Sequence, residues 1–117
     1  MRRALLFGLL LIISAPGLLP AQGLIEIQDI QTRITERNNV YVQMAWRLTL
    51  ANRAGRPVVV AAEIDFQDAD GFIITSDYEG RLTLDNNEVK TFTGVHLIRT
   101  ESIGKVSKVN VKTRIRP

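Results

Sequence analysis

From Val40 to Leu50 the chain alternates with period two: Val40, Val42, Met44, Trp46, Leu48 and Leu50 form one row, and Tyr41, Gln43, Ala45, Arg47 and Thr49 the other. Side chains of an extended strand point to opposite faces in turn, so this order gives one apolar and one polar face; a helix would scatter the same six residues around its circumference. Pro57 to Gln67 repeats the device, with Val58, Val60, Ala62, Ile64 and Phe66 inward and Glu63, Asp65 and Gln67 outward. The intervening Asn52-Arg53-Ala54-Gly55-Arg56-Pro57 supplies turn chemistry, with Gly55 free to take positive φ and Pro57 starting the next strand.

The remaining segments read the same way. Asp68-Ala69-Asp70-Gly71 is a tight hairpin connection, after which Phe72, Ile74 and Tyr78 resume the apolar alternation. Gly80 marks a break, Leu82-Thr83-Leu84 a short strand, Asp85-Asn86-Asn87-Glu88 a polar turn, and Val89 to Ile98 a further extended run. Thr100 to Gly104 is irregular, and a final strand runs from Lys105 to Ile115. At the start, Ile25 and Ile27 sit at odd positions and Ile30 and Ile34 at even ones, so a bulge or a switch between sheets near Gln28-Asp29 must reset the phase. The expectation is an all-β chain: an immunoglobulin-like antiparallel β-sandwich of about seven strands, with no helix after the leader and Trp46 and Phe66 in its core.

Residues 1–21 read as a signal peptide. Arg2 and Arg3 precede the apolar run Ala4 to Ile13, Ser14-Ala15-Pro16-Gly17 breaks it, and Ala21 is a small residue at a cleavage position. The run stops short of the roughly twenty residues a membrane anchor needs. Cleavage after Ala21 leaves residues 22–117 as a single β-sandwich domain, with no stable membrane insertion and a periplasmic or extracellular location. The whole chain has 15 Lys and Arg against 12 Asp and Glu; loss of Arg2 and Arg3 leaves 13 against 12. A balance so close to neutral gives no basis for nucleic-acid binding, which needs a basic face to offset phosphate charge. The absence of cysteine removes disulfide, thiol and lipid-acceptor chemistry.

Candidate chemistry is sparse. Asp68-Ala69-Asp70-Gly71 resembles part of a calcium loop, but aligning Gly71 with the loop glycine puts Phe66 at the first ligand position, so the hairpin reading is preferred. His96 is the single histidine, placed on the polar or half-buried face of its strand, with no nucleophile motif beside it. Glu63 and Asp65 share a strand face at hydrolase-like spacing, as a solvated face also would. No phosphate loop or cofactor motif is present, so no cofactor, metal site or enzymatic activity is expected. Lys108, Lys112, Arg114 and Arg116 form a basic row on the last strand, suited to an anionic partner and equally to protecting an edge from self-pairing. Tyr41, Gln43 and Arg47 form a second outward set suited to protein contact.

Leu48 to Asn52, Phe66-Gln67-Asp68-Ala69-Asp70-Gly71, Leu84-Asp85-Asn86-Asn87-Glu88, Phe92-Thr93-Gly94 and Val106 to Val111 together resemble small bacterial envelope domains of the FxLYD type and the YcfL-type periplasmic lipoproteins. Phe66-Gln67-Asp68 stands where that pattern often has Leu-Tyr-Asp, and the lipid-accepting cysteine of the lipoprotein members is missing. The resemblance implies an immunoglobulin-like sandwich in a bacterial envelope and carries over no catalytic residue. The functional expectation is an exported, noncatalytic protein-interaction module that binds an envelope protein, with Lys108, Lys112, Arg114 and Arg116 as its contact row. A small-ligand or ion-binding sandwich is the alternative, and a hydrolase built around His96 a third class.

Overall fold

The computed structural model describes residues 23–117, so the signal peptide expected over residues 1–21 and the expected cleavage after Ala21 lie outside the described residues. Six strands and one short helix follow in order: β1 (Ile25–Arg37), β2 (Tyr41–Asn52), β3 (Val58–Gln67), β4 (Ile73–Leu84), β5 (Val89–Arg99), α1 (Thr100–Ile103) and β6 (Lys108–Ile115). They build two three-stranded antiparallel sheets, ordered β1-β2-β5 and β4-β3-β6. The described chain is therefore all-β.

The central strand of each sheet carries one of the long alternating runs. Val42, Met44, Trp46, Leu48 and Leu50 of β2 and Val58, Val60, Ala62, Ile64 and Phe66 of β3 are all buried in one core, with Trp46 2% and Phe66 0% exposed. Each large apolar side chain so enclosed contributes about 1.5–3 kcal/mol relative to exposure. The two remaining strands of each sheet are edges, and packing sets β4 against β5 along one side of the molecule and β1 against β6 along the other.

In β1 the phase is reset at Gln28, which has no partner: Ile27 faces Leu50 and Asp29 faces Thr49. That extra residue lets Ile25 from the first half and Ile30 and Ile34 from the second all lean on the core. Val40 does not join the inward row of β2; it lies in the turn before the strand and is exposed.

The expected count of seven strands is corrected to six among the described residues. Ile73 to Tyr78 and Leu82 to Leu84 belong to one strand, because Gly80 is not a break but part of a bulge. Ala62 pairs with Glu79 and Val60 with Leu82, which leaves Ala61 opposite both Gly80 and Arg81. An extra residue keeps the ladder running while it exchanges the two faces. Downstream, Leu82 and Leu84 face the core; upstream, Thr75, Asp77 and Glu79 pair with the inward residues Phe66, Ile64 and Ala62. Tyr78 is consequently exposed, and Phe72, just before the strand, is 72% exposed. The last strand begins at Lys108 rather than Lys105, and Thr100 to Ile103 forms α1 where an irregular segment was expected.

The connections follow their turn chemistry. Asp68 Oδ1 accepts from the backbone N–H groups of Asp70 and Phe72 at 2.9 and 3.0 Å, and Gly71 takes φ +89°, closing the β3–β4 hairpin. Asn52, fully buried at the end of β2, donates from Nδ2 to the carbonyls of Arg56 and Asp85 at 2.8 and 2.9 Å and accepts the Ala54 N–H at 2.9 Å. One side chain thus ties together the β2–β3 and β4–β5 connections, both of which cross between sheets.

Candidate functional site

The inward polar stretch of β4 meets β5 along the seam between the two edges. In β5 the register with β2 turns Phe92, Gly94, His96 and Ile98 inward, opposite Leu48, Trp46, Met44 and Val42. The His96 ring stacks on Phe66 at 5.7 Å between centroids and 5° between planes, and its Nε2 lies 2.9 Å from Thr75 Oγ1. His96 Nδ1 is 3.8 Å from Asp77 Oδ1, and both side chains are about 20% exposed. Asp77 Oδ2 accepts the Trp46 indole N–H at 2.7 Å, and Oδ1 the Tyr78 backbone N–H at 2.9 Å. Lower on the same seam, Lys90 Nζ donates to the Thr83 carbonyl at 3.4 Å and sits 5.3 Å from the Phe92 ring centroid.

Thr75, His96 and Asp77 have the order of a hydroxyl–imidazole–carboxylate relay. The geometry favours another role. At 3.8 Å the imidazole–carboxylate approach is too long for a hydrogen bond, and each Asp77 oxygen already accepts a donor. What the cluster does is join the sheets, since every one of its contacts from Trp46 or His96 to β4 crosses the seam. Among the described residues no group of three or more His, Cys, Asp or Glu is placed to hold a metal ion. An open depression of about 350 Å³ lies away from this cluster, lined in part by Arg56, Pro57, Thr83, Asp85 and Arg116.

The basic row lies on β6, an edge strand. Lys108, Lys112 and Arg114 are exposed on its outward face, while Val109, Val111 and Ile115 turn inward and are half-buried. Arg116 follows the strand and donates to the Gly80 carbonyl at 2.8 Å. Lys112 is drawn toward β3, with Nζ 3.3 Å from Asp65 Oδ2 and 3.6 Å from Glu63 Oε2. Arg114 reaches the Tyr78 hydroxyl only at 3.5 Å. Lys108 enters no ion pair among the described residues.

Glu63 and Asp65 do not form a solvated face. Asp65 is 0% exposed beneath this row, and Ser76 Oγ donates to its Oδ1 at 2.6 Å. Its Oδ2 has no hydrogen bond of good geometry among the described residues and depends on the Lys112 ammonium as counterion. Asp65, as an acceptor for a proton on Glu63 and as a nearby negative charge, holds the Glu63 carboxyl above the usual carboxylate range, with Lys112 opposing. The same Asp65, helped by Glu63, holds the Lys112 ammonium above the usual lysine range. This trio explains why a lysine sits in the middle of the row: it neutralises a buried carboxylate.

Behind the basic row lies the β1/β6 seam. Ile30 and Ile34 of β1 and Val109, Val111 and Ile115 of β6 pack on the core from its rim and remain half-buried. Thr32 pairs in register with Trp46, on the inward side of β1, yet is exposed. No side-chain hydrogen bond among the described residues joins β1 to β6. A separate apolar group, missed by sequence reasoning, lies on the outer face of the other sheet, where Val95 and Leu97 are 55% and 54% exposed beside Tyr41. Counting the β5 phase from Gly94, opposite Trp46, would have found it.

Compared with known proteins, the chain matches no family model and no curated sequence. It is similar to the crystal structure of Campylobacter jejuni cj0090, with a TM-score of 0.48 and 16% sequence identity over 87% of this chain and 94% of that one. The functional reading rests on this chain's own residues.

Proposed function

We propose that this protein is an exported, noncatalytic interaction module with an immunoglobulin-like sandwich fold, and that it contacts an envelope protein through β6. The strand order supports the fold reading. First, second and fifth strands share one sheet, and third and sixth share the other with β4 on the far side of β3, an order found in immunoglobulin-type sandwiches. The charged, apolar and break-containing order of residues 1–21 supports export. The observation that carries the functional reading is that β6 is an edge strand with a basic outward row and a half-buried aliphatic inward row. The noncatalytic part rests on Asp77 Oδ2 and His96 Nε2, whose hydrogen bonds to Trp46 and Thr75 bridge the sheets, and on the 3.8 Å gap between imidazole and carboxylate.

A photoactivatable residue at position 108, compared with one at position 97, tests the contact in the native envelope. The expected result is a discrete adduct from position 108 and none from 97. Adducts from 97 alone would move the contact to the Tyr41, Val95 and Leu97 face. A hydrolytic activity lost in His96→Ala would replace the noncatalytic reading.

A further inference from the structure

We infer that β6 accepts an extended strand of about eight residues from a partner protein, in which apolar residues alternate with Asp or Glu. The inference rests on the reading of β6 as the contact strand and names what that strand recognises. On the side of β6 away from β3 no strand is paired among the described residues, so a row of backbone donors and acceptors faces outward. Main-chain pairing along such an edge supplies affinity, and alternate side chains supply specificity.

The two faces of the added strand meet different surroundings. One set of alternate side chains enters the β1/β6 seam, where it covers Ile30, Ile34, Val109 and Val111 and the inward side of β1 at Thr32. That set must be apolar, because the rim it covers is aliphatic. The other set lies beside the outward row of β6. Lys112 and Arg116 are held back by Asp65, Glu63 and the Gly80 carbonyl, whereas among the described residues Lys108 has no ion pair and Arg114 only a long contact. Lys108 and Arg114 are therefore the cations an incoming strand meets, and they select carboxylates. A second copy is disfavoured as occupant through the same strand, since pairing β6 with β6 sets the basic row against itself.

The test uses the protein ending at residue 117 and an octapeptide alternating valine and glutamate, with an octapeptide alternating valine and lysine as control. Fluorescence anisotropy measures affinity and amide hydrogen exchange locates the contact. The expected result is binding of the glutamate peptide, added protection confined to residues 108–115, and an affinity that falls as salt rises. The double change Lys108→Glu with Arg114→Glu should weaken that peptide about tenfold and favour the lysine peptide instead. Equal binding of the two peptides, or protection on β4 or β5, overturns the inference. Concentration-dependent protection of β6 without peptide assigns the edge to a second copy and also overturns it. If the peptide fails while position 108 still forms adducts in the envelope, strand addition is wrong and the contact reading stands; failure of both removes both.

Discussion

The two seams of this sandwich are built from opposite materials. Along β4/β5, the Trp46 indole, His96 and Lys90 reach across to Asp77, Thr75 and the Thr83 carbonyl. Along β1/β6, the facing side chains are half-buried isoleucines and valines with no hydrogen bond between the strands. Both seams are flanked by edge strands, but only one is closed by directed bonds. An inward-pointing charge is a recognised guard on an edge strand, because an added strand would have to bury it. The difference teaches that one edge is protected by its own polar bridge and the other by a surface row of cations that an acidic partner would satisfy.

The harshest way to break the bridged side is Trp46→Ala. It removes a ring that is 2% exposed and deprives Asp77 of its indole donor, so a loss of about 3–5 kcal/mol is expected in urea unfolding. Trp46→Phe separates the two effects, keeping most of the packing while deleting the N–H. A loss of less than about 1 kcal/mol in Trp46→Ala would show that the ring is not part of the core.

Gly94→Ala attacks the same ring from its other side. A Cβ at position 94 would stand 2.3 Å from Trp46 Cζ2, nearer than real atoms approach, so the indole must move and loosen its bond to Asp77. Overpacking of this kind costs about 1–3 kcal/mol. Near-ultraviolet circular dichroism should report the displaced indole even where the loss of stability is modest.

Asp77→Ala leaves the Trp46 N–H without an acceptor, for an expected loss of about 1–3 kcal/mol. Asp77→Asn retains an oxygen for that bond and should lose less. On the opposite seam, Ile34→Thr removes apolar surface from a half-exposed position and breaks no polar bond, so about 1 kcal/mol or less is expected. If Ile34→Thr proves as damaging as Asp77→Ala, the seams are equally closed and the contrast between them fails.

How far the sequence foretells these seams depends on where the alternation is continuous. Central strands β2 and β3 are flanked by a neighbour on each side and bury one face throughout, so Trp46 and Phe66 are placed by simple counting. The Gln28 bulge is legible because Ile27 and Ile30 carry the same kind of side chain in opposite phases. The bulge at Gly80 is not legible in the same way. Ile74 and Tyr78 look like a continuing apolar row, and only the pairing of Val60 with Leu82 and Ala62 with Glu79 shows that Thr75 and Asp77 face inward. Partners of His96 are separated from it by 19 and 21 residues of chain, and nothing local to Val89–Arg99 announces them. The basic row is legible because it alternates with Val109, Val111 and Ile115, whereas the neutralising role of Lys112 requires knowing that Asp65 lies buried beside it.

That role yields the gentlest test, which distinguishes the structural lysine from its neighbours by pH. Asp65 first, and Glu63 with it, hold the Lys112 ammonium above the ordinary lysine value of 10.5. Its contribution to stability is therefore fully present below 10.5 and is lost as pH rises through the higher folded value, where the native state still keeps a proton that the unfolded chain releases. Lys112→Gln should flatten that alkaline decline in urea midpoints measured from pH 9 upward, whereas Lys108→Gln should leave it as in the parent protein. Glu63 supplies an independent check at acid pH. Its carboxyl is already held above the ordinary value of 4.5 by Asp65, and Lys112 is what restrains it. A raised carboxyl binds its proton more readily in the native state, so stability falls as pH rises from 4.5 through the folded value. Without Lys112 that value moves higher and the falling window extends toward neutrality. An alkaline profile unchanged by Lys112→Gln would show that the ammonium is not the counterion of Asp65, and would return Lys112 to the set of cations available to an incoming strand.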